Sequence, residues 1–465
     1  MKPVSYFLLA CGAAAGRALR SSALWSVVGL FSILCLTASA QVSKNAVRQS
    51  VAGIDLVVLK TGVQEVVTIR GTMAAGDSLS PDTNPAIAHL AGGMLDKGTT
   101  THDKFAISQM LGDAGAHLSF SVGPSMLNLS GKCLRKDLPL VIGLISEELR
   151  SPAFSAAEFA KLKKQIAGQM QRQMEDTDFR SGDAFARSVY PIGHPNRPAA
   201  VPEFLAGVDK ASLEEVKAFY QKFYGPATLR LVVVGDVDVP VAQGEVAKVF
   251  AGWTGGEAPP HPAKATSVDA PRDQTVFLAD KANVSVAWGQ ATGLRYSDPD
   301  ALALRIGTAV LGDGGFTSRL MSTVRDKEGL TYGLYSYVGS DTVADGDWSI
   351  RANFAPALLE KGLASTKREL IAWYRDGVTE AELARQKTNL AGLYKVGLST
   401  TDGMAGTILT TLNRDLDLSF IDQYPSRVAA LTAPQVNGAI KKHLDPEKMV
   451  LVKAGTVTGA ATTGK

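Results

Sequence analysis

Apolar residues fall along this 465-residue chain in short runs whose spacing predicts strands interleaved with helices. Ile54-Asp55-Leu56-Val57-Val58-Leu59 and Glu65-Val66-Val67-Thr68-Ile69-Arg70 are rich in β-branched residues and flank Thr61-Gly62, which predicts two strands and a turn. His117-Leu118-Ser119-Phe120-Ser121-Val122 and Met126-Leu127-Asn128-Leu129-Ser130 alternate apolar with polar positions around Gly123-Pro124, a second pair. Residues 138–149 and 156–174 have helical spacing, and the second stretch is long and rich in Lys, Gln and Arg. Residues 213–223 predict another helix, and Leu229-Arg230-Leu231-Val232-Val233-Val234 a strand ending at Gly235-Asp236. Between the two strand pairs lies an apolar helix with His89 in its middle. Asn84 supplies an N-cap, Pro85 a preset first turn and Gly98 a stop. Gly92 and Gly93 sit inside it, where each glycine costs about 1 kcal/mol relative to alanine. Helix propensity did not select them.

The last of these units recurs. Residues 216–237 align without gaps on residues 436–457, pairing Val216 with Val436, Pro226 with Pro446, Gly235 with Gly455 and Val237 with Val457. Asn84-Pro85-Ala86 likewise has a counterpart in Asp298-Pro299-Asp300, each opening a helix after a pair of strands. A duplication at so long a period implies two like-folded domains rather than a solenoid. The expected division is an N-terminal domain over 41–254, a linker over 255–268, a C-terminal domain over 269–457 and a flexible tail over 458–465. The linker is turn-forming, reading Gly255-Gly256-Glu257-Ala258-Pro259-Pro260-His261-Pro262 at its start.

Length and composition agree with two large globular units: 45% of residues are hydrophobic and 20% charged. The first forty residues stand apart. Arg17 and Arg20 precede an apolar run over 23–36, then Ala38-Ser39-Ala40 precedes Gln41, the order of a secretory signal cleaved after Ala40. The other reading is an uncleaved anchor, because the run is near the lower limit for a membrane span. Lys2, Arg17 and Arg20 leave with the signal and no acid does, so 45 of the 48 Lys and Arg remain against 45 Asp and Glu. A neutral chain gives no reason to propose nucleic acid or an anionic membrane as partner. Cys133 alone survives cleavage, which excludes an internal disulfide and a cysteine-based zinc site. Its expected role is that of a small buried apolar residue.

A second histidine one turn after His89 would share its face and could grip zinc with it. A glutamate at 92 would supply the general base for an attacking water. Positions 92 and 93 are both glycine. The segment nevertheless resembles the inverted zinc motif His-x-x-Glu-His of the pitrilysin/insulinase family, which includes the mitochondrial processing peptidases. Ala88, His89, Leu90, Met94, Lys97, Gly98 and Thr99 match the motif's usual context, Ala-His-Leu-x-x-x-Met-x-x-Lys-Gly-Thr. The resemblance covers essentially the whole mature chain. It implies an α+β fold of two homologous domains, each a mostly antiparallel sheet with helices packed on one face. It also implies a third ligand, a glutamate, on the long helix, where alignment places Gln169 beside Met170; the nearest acid, Glu175, is more than a turn further on. His89 is the only motif ligand left, and a hydrogen-bonded core histidine is its ordinary reading. No metal is therefore expected on this chain. His102 and His117 match no familiar ligand set, and His194 resembles a structural His-Pro turn of the family.

A second segment reads Leu311-Gly312-Asp313-Gly314-Gly315-Phe316-Thr317-Ser318-Arg319-Leu320, then Val324-Arg325-Asp326-Lys327-Glu328-Gly329-Leu330-Thr331-Tyr332-Gly333. It resembles the family's C-terminal signature, in which an arginine and a tyrosine at the spacing of Arg325 and Tyr332 face the zinc. A guanidinium and a phenol can hold a peptide carbonyl and steady the oxyanion that forms on it. Gly312, Gly314 and Gly315 resemble the substrate-contacting loop of the processing peptidase's non-catalytic subunit. Without that signature, Arg325 reads as a surface ion pair with Asp326 or Glu328, and Tyr332 as a core aromatic. Residues 123–134 read equally as a peptide-pairing edge strand or an ordinary one. The pattern implies a secreted, periplasmic, non-catalytic subunit of a zinc metallopeptidase. Arg325 and Tyr332 would complete the site of a homologous partner that has the intact motif and holds the zinc, and peptides would be the substrates. Self-pairing as a homodimer stays open. The rivals are a peptide- or protein-binding scaffold with no proteolytic role, and an enzyme using an unrecognised metal site; no second intact motif supports the latter.

Overall fold

The computed structural model describes residues 41–260 and 272–457; the expected signal peptide, the second half of the linker and the tail lie outside them. Two sheets organise the chain. The first contains β1 (Val47–Val51), β2 (Ile54–Lys60), β3 (Val66–Met73), β4 (His117–Val122), β5 (Leu127–Leu134) and β6 (Arg230–Gly235), in the order β1-β2-β6-β3-β5-β4. The second contains β7 (Arg272–Phe277), β8 (Val284–Ala291), β9 (Leu334–Gly339), β10 (Asp347–Phe354) and β11 (Val450–Gly455), in the order β7-β11-β8-β10-β9. All pairings are antiparallel except β2 with β6 and β7 with β11. Those two parallel pairs are made by the strands of the duplicated unit, each arriving after a helix. The two copies agree in detail: Gly235 and Gly455 close their strands at φ 145° and 144°, a conformation that favours glycine.

The central strands of each sheet are buried on both faces, which is why β2 and β6 read as nearly continuous apolar runs rather than alternating ones. On one face of the first sheet, Leu56, Val58, Leu231 and Val233 join the core under the helices of their own half. On the other face, Val57, Leu59, Val232 and Val234 meet Met404, Ile408 and Leu409 of the helix Thr401–Asn413, lent by the C-terminal half. The loan is returned by the helix Thr177–Val189, whose Phe185 and Val189 pack on Ala287, Val450 and Val452 of the second sheet. Helices on one face were expected from sequence; the exchanged helix on the second face is an addition.

Three local readings change. The motif helix runs over Ile87–Gly93, two residues later than expected, because the Asn84 side chain accepts from Ala86 N and donates to Gly207 O, each at 3.1 Å. β5 pairs with both β3 and β4, so it is an ordinary interior strand; β4 lies at the edge. β1 escaped the hydrophobic pattern because it is an exposed edge strand with the polar interior Arg48-Gln49-Ser50. Among the described residues no helix is long and apolar enough to cross a membrane.

Candidate functional site

The motif helix turns Ile87, Ala88, Leu90 and Ala91 into the core and leaves the His89 side chain 39% exposed. His89 Nδ1 lies 3.6 Å from Asp77 Oδ1, beyond good hydrogen-bond length, and both atoms are buried without a partner. The edge of the imidazole meets Phe204 at 5.6 Å between ring centres. Beneath them Tyr224 has a buried, unpartnered hydroxyl, and burial pushes its ionisation upward.

The places of the missing zinc groups are packed over. A Cβ at Gly92 would collide with Val122 Cγ2, and one at Gly93 would stand 3.0–3.2 Å from the Leu162 methyls. Gln169 is exposed, while its neighbour Met170 lines a cavity of about 1080 Å³ together with His89, Asp77, Asn84, Phe179 and Phe204. Glu175 is committed elsewhere, 2.9 Å from Lys281 Nζ. Among the described residues no three His, Cys, Asp or Glu side chains are grouped as metal ligands. One imidazole beside one carboxylate, flanked by valine, leucine and methionine, does not fit a zinc centre.

Of the other histidines, His117 is exposed on β4, whereas His102 and His194 have structural partners. His102 Nδ1 lies 2.9 Å from Glu147 Oε1. His194 is buried with Nε2 3.2 Å from Asp345 and its ring stacked on Tyr190 at 4.5 Å; Tyr190 in turn donates to Asp347 Oδ1 at 2.8 Å. His194 therefore closes a turn of the N-terminal half onto the C-terminal half. Cys133 is buried, which pushes its thiol up to about 12.

The second segment is built differently. The helix Ala301–Thr308 widens into a π-helical turn over Ala309–Asp313, then tightens to 3₁₀ over Gly315–Thr317. Gly312 and Gly314 are buried, with no room for a Cβ: the first abuts Ser336 of β9 and the second Gln386. Of the three loop glycines, Gly315 is the one at the surface, at φ 65°. Downstream, Arg319 forms a two-toothed ion pair with Glu382, both contacts at 2.7 Å.

Arg325 and Tyr332 come together. The Arg325 Cζ lies 5.8 Å from the Tyr332 ring centre and 4.7 Å from that of Phe316. Its Nη1 donates to Asp326 at 3.0 Å, whereas Glu328 pairs with Arg368. Tyr332 is 93% exposed, so it is no core aromatic, and Phe316 is 66% exposed. Neither Arg325 nor Tyr332 lines the cavity of His89. Sequence reasoning passed over Asp77 and Phe316; the latter's signal was an aromatic residue directly after two glycines, where no core position was expected.

Residues 56–195 match the family description "Insulinase (Peptidase family M16)", and residues 210–390 match "Peptidase M16 inactive domain". The chain is 23% identical over 377 residues to a protein of Helicobacter pylori named "Non-peptidase homolog YmxG", covering 80% of this chain and 84% of that one. It is 24% identical over 374 residues to an uncharacterized zinc protease of Streptomyces coelicolor, covering 78% and 80%. A crystal structure titled as the peptidase M16 inactive domain from Pseudomonas fluorescens superposes with a TM-score of 0.82 at 26% identity, covering 90% of this chain and 99% of that one.

Proposed function

The chain belongs to the peptidase M16 (insulinase) family, and from that premise we propose that it is a non-catalytic subunit of a zinc metallopeptidase of that family. It binds peptide and contributes Arg325 and Tyr332 to the zinc site of a homologous partner that has the intact His-x-x-Glu-His motif. The observation that carries this reading is the contrast between the two segments. The zinc positions are glycines packed against Val122 and Leu162, while a half-buried Arg325 stands beside an exposed Tyr332, and neither lines the cavity of their own chain's His89. A guanidinium and a phenol held together outside the chain's own core support this reading, because such donors can hydrogen-bond a peptide carbonyl and the negative charge that develops on its oxygen. The charged, apolar and small-residue order of residues 1–40 supports a secreted, periplasmic setting.

A second reading, a peptide- or protein-binding scaffold without hydrolysis, is favoured by the name of the Helicobacter relative. The two separate on one experiment. The tagged chain is purified from its native envelope fraction, its partner identified by mass spectrometry, and zinc content and peptidase turnover measured. The split-site reading expects a one-to-one partner with the intact motif and one zinc per pair. Arg325→Ala and Tyr332→Phe then lower kcat, by about 10²-fold or more where a donor to the developing oxyanion is lost, and leave zinc content unchanged. A metal-free homodimer, or turnover unchanged in both variants, overturns it.

A further inference from the structure

We propose that Phe316 is a positioning residue for Arg325: its ring, together with that of Tyr332, packs against the guanidinium and restricts it. Phe316 has no core to fill. It is 66% exposed, yet the backbone beneath it is held in place. Gly314 is pressed against Gln386, and Gly315 takes φ 65° with open space where a Cβ would stand. Thr317 Oγ1 donates to Gly314 O at 3.2 Å and Ser318 Oγ to Gly315 O at 2.8 Å. The Arg319–Glu382 pair and the bond from Arg319 Nη2 to Gly377 O, 2.8 Å, fix the downstream end.

This rigid turn presents an aromatic face 4.7 Å from the Arg325 Cζ, closer than the Tyr332 face at 5.8 Å. Both rings lie within cation–π reach of the guanidinium. Arg325 otherwise has its Nη1 bond to Asp326, which leaves other N–H donors of the guanidinium for a ligand. An arginine side chain free in water would lose rotamer freedom each time it met a carbonyl; one already packed against rings loses less. The consequence for turnover rests on the split-site reading above, whereas the ring contact itself does not.

The test compares Phe316→Leu, which keeps apolar bulk and removes the π-face, with Phe316→Trp, which keeps a face. In the chain labelled with ¹⁵N-arginine, the Arg325 Nε–Hε resonance, assigned through Arg325→Lys, should lose the Phe316 part of its ring-current shift in Phe316→Leu and remain displaced in Phe316→Trp. In the complex with the native partner, assayed on a fluorogenic peptide, Phe316→Leu should lower kcat by about two- to fivefold with KM unchanged, the effect of one exposed cation–π contact. Phe316→Trp should stay near wild type. An Arg325 resonance that ignores Phe316→Leu, or an active complex in which Leu and Trp give the same kcat, overturns the assignment. If the wild-type complex hydrolyses nothing, the split-site reading fails on its own, and the resonance decides the role of Phe316.

Discussion

Single residues show a division between groups the fold hides and groups it leaves out. Glu148 is hidden: it is 3% exposed, its Oε2 has no partner, and burial, with Asp96 and Glu147 nearby, pushes its carboxyl up to about 8. The folded chain therefore keeps a proton that the unfolded chain releases near the ordinary value of 4.5. Stability that is complete below that value is lost as pH rises through the window up to about 8. Glu148→Gln should remove this share of the slope, so thermal melts across the window should fall with pH in wild type and fall less steeply in the variant. Parallel slopes would refute the assignment. His89 and its glycines make the complementary case. Restoring the motif as Gly92→Glu, Gly93→His and Gln169→Glu places a Cβ on Val122, another against Leu162, and a carboxylate at the exposed position beside Met170. The triple variant should fold yet take up well short of one equivalent of zinc, measured by elemental analysis after dialysis. One tightly held equivalent would show that the packing yields.

At the scale of elements, most strands and helices were legible because turn residues punctuate them. The duplicated unit was the plainest, and its two glycines turn out to close their strands at the same φ. Gly235→Ala would set a Cβ against Val66 O, and Gly455→Ala one 2.7 Å from Asn283 O. Each should cost about 1–3 kcal/mol in urea titration, more than Gly252→Ala, which has φ 70° but open space around it. Equal losses at all three would mean that backbone strain alone sets the cost. A helix start was misplaced where local chemistry had a competing use: Asn84 bonds across to Gly207 instead of capping the motif helix. The candidate site followed the same rule. Arg325 and Tyr332 were legible from their spacing within a signature, whereas Phe316 gains meaning only from the three-dimensional turn that brings its ring to Arg325. Likewise Gly312 and Gly314 share the sequence pattern of Gly315, but β9 and Gln386 bury them.

For the whole molecule, the exchange of helices decides what can exist alone. No pattern in β2 or β6 could say that Val57, Leu59, Val232 and Val234 would be covered by residues more than 160 positions further along the chain, at Met404, Ile408 and Leu409. Separated from the C-terminal half, residues 41–254 would leave those four side chains in water. At about 1.5–3 kcal/mol each, roughly 6–12 kcal/mol of burial would be lost, as large as the whole stability of a typical domain, about 5–15 kcal/mol. The bonds between the halves would be lost as well: Tyr190 to Asp347, Thr68 to Thr401 and His194 to Asp345. Residues 41–465 should therefore unfold in urea in one transition, with tryptophan fluorescence and circular dichroism coincident. Residues 41–254 and 269–457 produced separately should lack native near-ultraviolet dichroism and recover it when co-expressed. Two independent transitions, or a stable isolated half, would refute this coupling. It also bears on the proposed function: if the halves cannot part, the surface holding Phe316, Arg325 and Tyr332 would meet the proposed peptide as a preformed face, and a closing motion would belong to the approach of the proposed partner.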